Sequence, residues 1–327
     1  MLRYVTKRLL LLIPILLGVT LLVFIGMELA QGSYVDTLIN EDMTAEEIEA
    51  MREAYGENDP VLLKFGKYIL NLCQGDLGTS YTTNQPVFDL FLERIPVTAK
   101  LAVASTLVCY IIALPLGIAA AKRPGTLVDN ACNVLGVVGL ATPNFWLGLL
   151  LIILFGVNLG WLPTMGNETW LHYILPAFTI GTGQTASLMR ITRSSLLEAL
   201  HMDYLRTARA KGVSESKVVN KHALKNASLP ILNVALGIFA GNFAGAVLTE
   251  QVFAMSGVGR VIVEATNQRD IPLACGFLVM KCLIITILGT VTDLIYVAAD
   301  PRVKSMYVTE KKRKAKKGGN KNEIKAA

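Results

Sequence analysis

Residues 101–121 read LAVASTLVCYIIALPLGIAAA, a run with no charged side chain. At 1.5 Å per residue a helix of that length spans about 30 Å, the thickness of a bilayer's hydrocarbon core. Lipid offers backbone N–H and C=O groups no partner, so such a run crosses as a helix that bonds internally. Residues 9–27, 130–167, 169–189 and 226–249 are likewise free of charge. Residues 271–299 add a further stretch, interrupted by Lys281 and Asp293 but long enough to cross. The run 130–167 exceeds one crossing; Gly160, Trp161, Pro163 and Gly166 mark its second half as an external loop, which leaves one helix over about 132–156. The expected fold is an all-α integral membrane protein with about six transmembrane helices.

Composition agrees, since 17% of the 327 residues are charged and 53% are hydrophobic, whereas soluble domains carry about 25% charged residues. Arg3, Lys7 and Arg8 precede the first span, and Lys122 and Arg123 follow the second. Residues 190–225 hold eight basic against three acidic residues, and 300–327 hold ten against three. The segment 31–99 has twelve acidic against four basic. Basic loops stay in the cytoplasm, so both termini are expected inside and 31–99 outside. The basic clusters then serve anionic lipid at the membrane surface, and no nucleic-acid module is visible. The first span is expected to be an uncleaved anchor, because Glu28 would stand at position −3 of a cut after Ala30.

Only Cys73 of the five cysteines lies in the external segment, so no external disulfide pair is available. His172, His201 and His222 lack Cys or carboxylate partners at ligand spacing, so no metal site is expected.

The chain divides into an N-terminal tail and first helix (1–30), an external helical segment (31–99), a five-helix core (100–300) with a cytoplasmic loop at 190–228, and a basic tail (301–327). In the external segment Thr44 and Glu47 form a capping box, Gly56 ends the helix, and Pro60 opens a second with a stripe of Leu62, Phe65, Ile69 and Leu72. In the cytoplasmic loop Asp203 is an expected N-cap, residues 204–211 form a basic helix about 12 Å long, and Gly212 supplies a left-handed stop. Ser214 is expected to cap a second helix running toward Asn226, and Pro230 to mark the return to the membrane.

The run Tyr204, Leu205, Arg206, Thr207, Ala208, Arg209, Ala210, Lys211, Gly212, with His222, Ala223, Leu224 and Leu229–Pro230 after it, closely resembles the cytoplasmic signature of ABC importer permeases. More narrowly it resembles the dipeptide/oligopeptide/nickel branch. The likeness continues in Gly75, Asp76, Leu77, Gly78, Thr79, Ser80, in Arg94, Ile95, Pro96, Val97, Thr98, and in Glu250, Val252, Phe253, Gly257 and Gly259. Arg269–Asp270, Asp293, Tyr296, Asp300, Pro301 and Arg302 complete it, while Ser256 stands where that family more often has proline. Arg206, Thr207 and Ala208 replace the acidic residue and two alanines of the wider superfamily, which disfavours a sugar importer.

The resemblance implies a permease subunit of an ATP-driven importer, forming half of a translocation path for di- or oligopeptides, in a bacterial inner membrane. It also implies a coupling helix formed by Tyr204 and Arg206 through Gly212 that docks on an ATPase. The implied partners are a second homologous permease, two ATPase subunits that bind ATP and Mg, and an external substrate-binding lipoprotein. No cofactor is expected on this chain, which has no GxxxxGK[ST] loop. A nickel-chelate importer is the alternative within the branch. A secondary transporter would show an internal repeat, and an intramembrane hydrolase a nucleophile and base within the bilayer; neither is seen. Lys281, if the last helix begins near Ile271, lies about 15 Å along it. A charge at that depth tends to face a cavity, so Lys281 is expected to line the path, with snorkelling or an ion pair to the sister permease as the alternative.

Overall fold

The computed structural model describes residues 2–30, 32–40 and 43–299. No strand forms among them, only a lone bridge between Thr79 and Pro86. The basic tail at 301–327, with Asp300, Pro301 and Arg302, lies outside the described residues.

Helix α1 (Leu2–Leu29) contains the first apolar run and passes through Pro14. In the segment that follows, the capping box and both short helices form, but Leu62 of the expected stripe lies exposed while Phe65, Ile69 and Leu72 pack. A 3-10 turn (Val35–Thr37) leads to α2 (Ala45–Ala54), capped by Thr44 with a reciprocal Glu47 bond. Gly56 adopts φ +65°, and Pro60 is the N-cap of α3 (Val61–Cys73). Helix α4 (Val87–Lys122) starts well before the charge-free run at 101, because Pro86 caps it and Pro96 is accommodated within it. Position 99 is thus internal to a helix about 54 Å long.

The expected single helix over 132–156 is corrected. Helix α5 (Leu127–Ala141) and α6 (Asn144–Leu151), which continues as a π-helix (Ile152–Asn158), meet at 98°. Pro143 has no N–H to donate and drives Thr142 out of the helical region, to ψ 120°. After a 3-10 turn (Trp170–Tyr173), α7 (Ile174–Leu200) runs ten residues past Arg190, so the loop proper is shorter than 190–228.

The loop holds α8 (Asp203–Ala210) and α9 (Glu215–Lys217); the latter passes through a π turn (Val218–Ala223) into α10 (Leu224–Gly245). Met202 is the N-cap of α8, so Asp203 is its first helical residue and acts on the helix through charge rather than as a cap. Pro230 sits inside α10 and marks no boundary. Two short helices, α11 (Val247–Val252) and α12 (Val258–Asn267), precede α13 (Ile271–Ala299).

Among the described residues four helices are long and apolar enough to cross a membrane, or five if the bent pair is one span. Helix α7 is about 40 Å long but carries Arg190, Arg193 and Glu198, which lower its hydropathy. It is nevertheless central, because α4 packs on it along much of its length. The approach is close. A Cβ at Gly117 would lie 2.7 Å from the Met189 carbonyl oxygen, and one at Gly181 would lie 2.8 Å from that of Ser105. Small residues serve such contacts in lipid, where apolar side chains gain nothing from leaving the hydrocarbon.

Charged groups tie the ends of the helices. Arg8 of α1 pairs with Asp293 of α13. Asp270 is fully buried and joins the hairpin at 78–87 to α13. Its Oδ2 accepts from the hydroxyls of Ser80 (2.6 Å) and Thr82 (2.8 Å) and from the Thr82 N–H, while Oδ1 accepts from the Leu273 N–H at 3.1 Å. Two stretches that resemble the permease family, 75–80 and 269–270, thereby become one structure. Asp270→Ala would leave the buried Ser80 hydroxyl and Leu273 N–H without this acceptor and should lower stability by about 3 kcal/mol. Thermal unfolding of the purified protein checks this; an unchanged midpoint would show that the clamp is not needed.

Candidate functional site

The sequence singled out Tyr204, Arg206, Thr207, Ala208, Arg209, Ala210, Lys211 and Gly212, and the structure gathers them on α8 and its stop. Leu205 is fully buried in a cluster with Leu196 of α7 and Val218 and Ala223 beyond the loop. Ala208 and Val213 pack against the same cluster. Tyr204, Arg206, Thr207, Ala210 and Lys211 remain exposed. Gly212 adopts φ +76° and donates its N–H to the Arg209 carbonyl, closing the helix. Arg209 Nε and Nη2 reach Glu215 at 3.0 and 2.8 Å, a fork that fixes the turn between α8 and α9. The same hydrogen bonds hold the Glu215 carboxyl below its ordinary value. A basic helix thus stands on the packed core, and on its outer face Arg206 and Thr207 bond only within the helix, to Asp203.

Behind it lies an ion pair that sequence reasoning missed. Asp129 of α5, 2 % exposed, accepts from Arg193 Nε and Nη2 of α7, both at 2.6 Å. The Gly125 N–H (2.9 Å) and Asn133 Nδ2 (3.1 Å) complete its shell. The only signal in the sequence was one acid and one base at the edges of apolar runs.

Toward the other end of the bundle Glu250, fully buried, accepts from the Thr98 hydroxyl of α4 at 2.7 Å and from the Arg260 N–H at 3.0 Å. Thr98 Oγ1 also accepts from the Val258 N–H at 2.9 Å, so the pair caps α12 from a distance. A Cβ at Gly257 would run into the Glu250 carboxyl, which explains that glycine. Lys281 of α13 is half-buried.

The outward faces of the helices differ in kind. On α1 and α5 they carry large apolar side chains such as Leu10, Leu22, Leu135 and Val137. On α7 the exposed positions include Ser187, Arg190, Ser194 and Glu198, and on α10 they include Asn233, Gly237 and Gly241. None of the described residues of α10 is an exposed large hydrophobic. Nearby, Gln184 Nε2 donates to Asn242 Oδ1 at 2.7 Å and Asn242 Nδ2 to Thr106 at 2.8 Å, while Gln184 Oε1 has no donor. Such faces and networks belong against protein or water rather than lipid.

Comparison with known proteins agrees with this architecture. Residues 113–305 match the family described as binding-protein-dependent transport system inner membrane component. Residues 1–102 match the N-terminal membrane component of such systems. The chain is 39% identical over 315 residues to the oligopeptide transport system permease protein AppB of Bacillus subtilis, covering 93% of this chain and 99% of that one. It is 38% identical over 304 residues to the glutathione transport system permease protein GsiC of Salmonella paratyphi A, again covering 93% and 99%. Among solved structures, an inward-facing MetNI methionine ABC transporter matches with a TM-score of 0.56 at 19% identity, over 65% of this chain and 97% of that one, which shows a shared fold. Family membership implies ATPase and substrate-binding partners and a transport role rather than enzymatic turnover on this chain. The chain belongs to the binding-protein-dependent transport system inner membrane components, as a multi-pass cytoplasmic-membrane permease of an ABC importer in the oligopeptide and glutathione branch.

Proposed function

We propose that this permease forms half of the path by which short peptides enter the cell, its exposed α8 face docking on an ATPase. The observation that carries the docking role is α8 itself, anchored through Leu205 while Tyr204, Arg206, Thr207, Ala210 and Lys211 face outward. The working assembly contains a second homologous permease, two ATPase subunits that hold ATP and Mg, and an external substrate-binding lipoprotein. This chain crosses the membrane six times, α7 included, with both termini in the cytoplasm. Closure of the ATPases pulls the two coupling helices together and biases the spans toward the outward-open state. The polar faces of α7 and α10 line the path, where water replaces lipid.

Reconstituted uptake tests the docking role. Gly212→Val puts a β-branched residue at φ +76°, at a cost of about 1 kcal/mol or more, and should misaim α8. Peptide uptake and substrate-stimulated ATP hydrolysis should fall together; normal values of both would refute the role.

Lys281 lines the same path near its outer half and attracts the substrate carboxylate. Lys281→Met should weaken uptake of peptides with a free C-terminus more than that of amidated ones, and Lys281→Arg should retain both. Equal loss for the two peptide types would assign Lys281 a structural part instead.

A further inference from the structure

A cavity of about 780 Å³ lies outside the path, between the outer end of α1, the end of α2, α3, the hairpin and the start of α13. That is the size of a small-ligand site. Phe24, Met27, Ile271 and Pro272 give it an apolar side. Tyr34, Tyr55 and Tyr81 give it an aromatic side, their ring centroids 5.1, 5.1 and 5.3 Å apart in a closed triangle.

Its wall carries four acids, Asp36, Glu53, Glu57 and Asp59, and four bases, Arg52, Lys64, Lys67 and Arg269, which are not held alike. Asp36 is held by Arg52 at 2.8 Å and Asp59 by Lys67 at 2.6 Å. Glu57 is different: Oε1 accepts the Val35 N–H at 2.9 Å, but Oε2 is buried and has no donor. Tyr68, also in the wall and only 8 % exposed, has a buried hydroxyl with no partner. Buried polar atoms are nearly always paired, and a lone carboxylate oxygen is the costliest kind to leave. A donor from outside the chain would satisfy them.

A carboxylate oxygen beside a group of phenol rings selects a cation with hydrogen to donate, since both the charge and the ring faces attract it. A metal ion would need more ligands than this wall offers; among the described residues no group of three or more His, Cys, Asp or Glu side chains could hold one. We propose that this cavity binds a primary ammonium carried on an apolar body, with Glu57 as its counter-ion and Tyr68 as a second polar contact. Its source is the free amino terminus of a short peptide, which rests on the peptide reading above. The site would hold cargo at the outer face of the permease, before the path. An ethanolamine headgroup carries the same ammonium, so the experiment separates the two.

The assembled importer in phosphatidylcholine nanodiscs, without the external binding protein, is titrated with the tripeptide Ala-Phe-Ala and its N-acetyl form by calorimetry. The free peptide should bind at least about tenfold more tightly than the acetylated one. Glu57→Gln should erase that difference, Glu57→Asp should keep most of it, and Tyr68→Phe should weaken the free peptide several-fold. Thermal unfolding of each variant identifies any that misfold. Equal affinity for the two peptides, or no effect of Glu57→Gln in a folded variant, overturns the site. Displacement of the peptide by added phosphatidylethanolamine, with that lipid co-purifying, overturns the peptide as its occupant. Uptake of Ala-Phe-Ala, measured in parallel with the binding protein present, separates the readings. Uptake without cavity binding sinks only this inference, whereas absence of uptake sinks the peptide reading itself.

Discussion

The Glu250 carboxylate ties together parts of the chain that are far apart in sequence. It is fully buried, yet it joins α4 through Thr98 and closes the start of α12 through the Arg260 N–H. Helix α12 starts where Glu250 reaches it, while α4 is joined within its length. Asp270 and Asp129 repeat the device: each is buried in the first turn of a helix or just ahead of it, and each binds a segment distant in sequence.

Lipid explains the reliance on such clamps. Between membrane helices the hydrophobic effect does not favour one packing over another, because hydrocarbon chains are as apolar as leucine. Position must come from close backbone approach, as at Gly117 and Gly181, and from polar bonds that tolerate little displacement. Where Asp129 meets Arg193 with two bonds of 2.6 Å, α5 and α7 cannot slide past each other without breaking a buried pair. The same α7 ends in the core that carries Leu205, so α8 is joined to the spans through packed side chains.

Much of this was legible in the chain. The Thr44 capping box, the left-handed Gly212 and a short helix ahead of it follow from local rules, and each formed within a residue or two of where expected. What escaped depended on contacts between distant residues or on competition between local signals. Thr142–Pro143 broke an apolar run that length alone read as one helix. Pro96 and Pro230 did not break theirs, because the surrounding helix absorbs the lost bond. Glu250 and Thr98 each lay within a recognised motif, but nothing local in either says that the two touch across 152 positions.

The central claim is that α8 presents its outer face to an ATPase on the cytoplasmic side while the helical cap stands outside. A photo-crosslinking side chain placed at Ala210, and separately at Leu62 on the exposed face of α3, tests both parts in the assembled transporter. The account predicts a crosslink from position 210 to the ATPase subunit and none to it from position 62. A crosslink from position 62 to the ATPase, or from position 210 to the external binding protein, would contradict it.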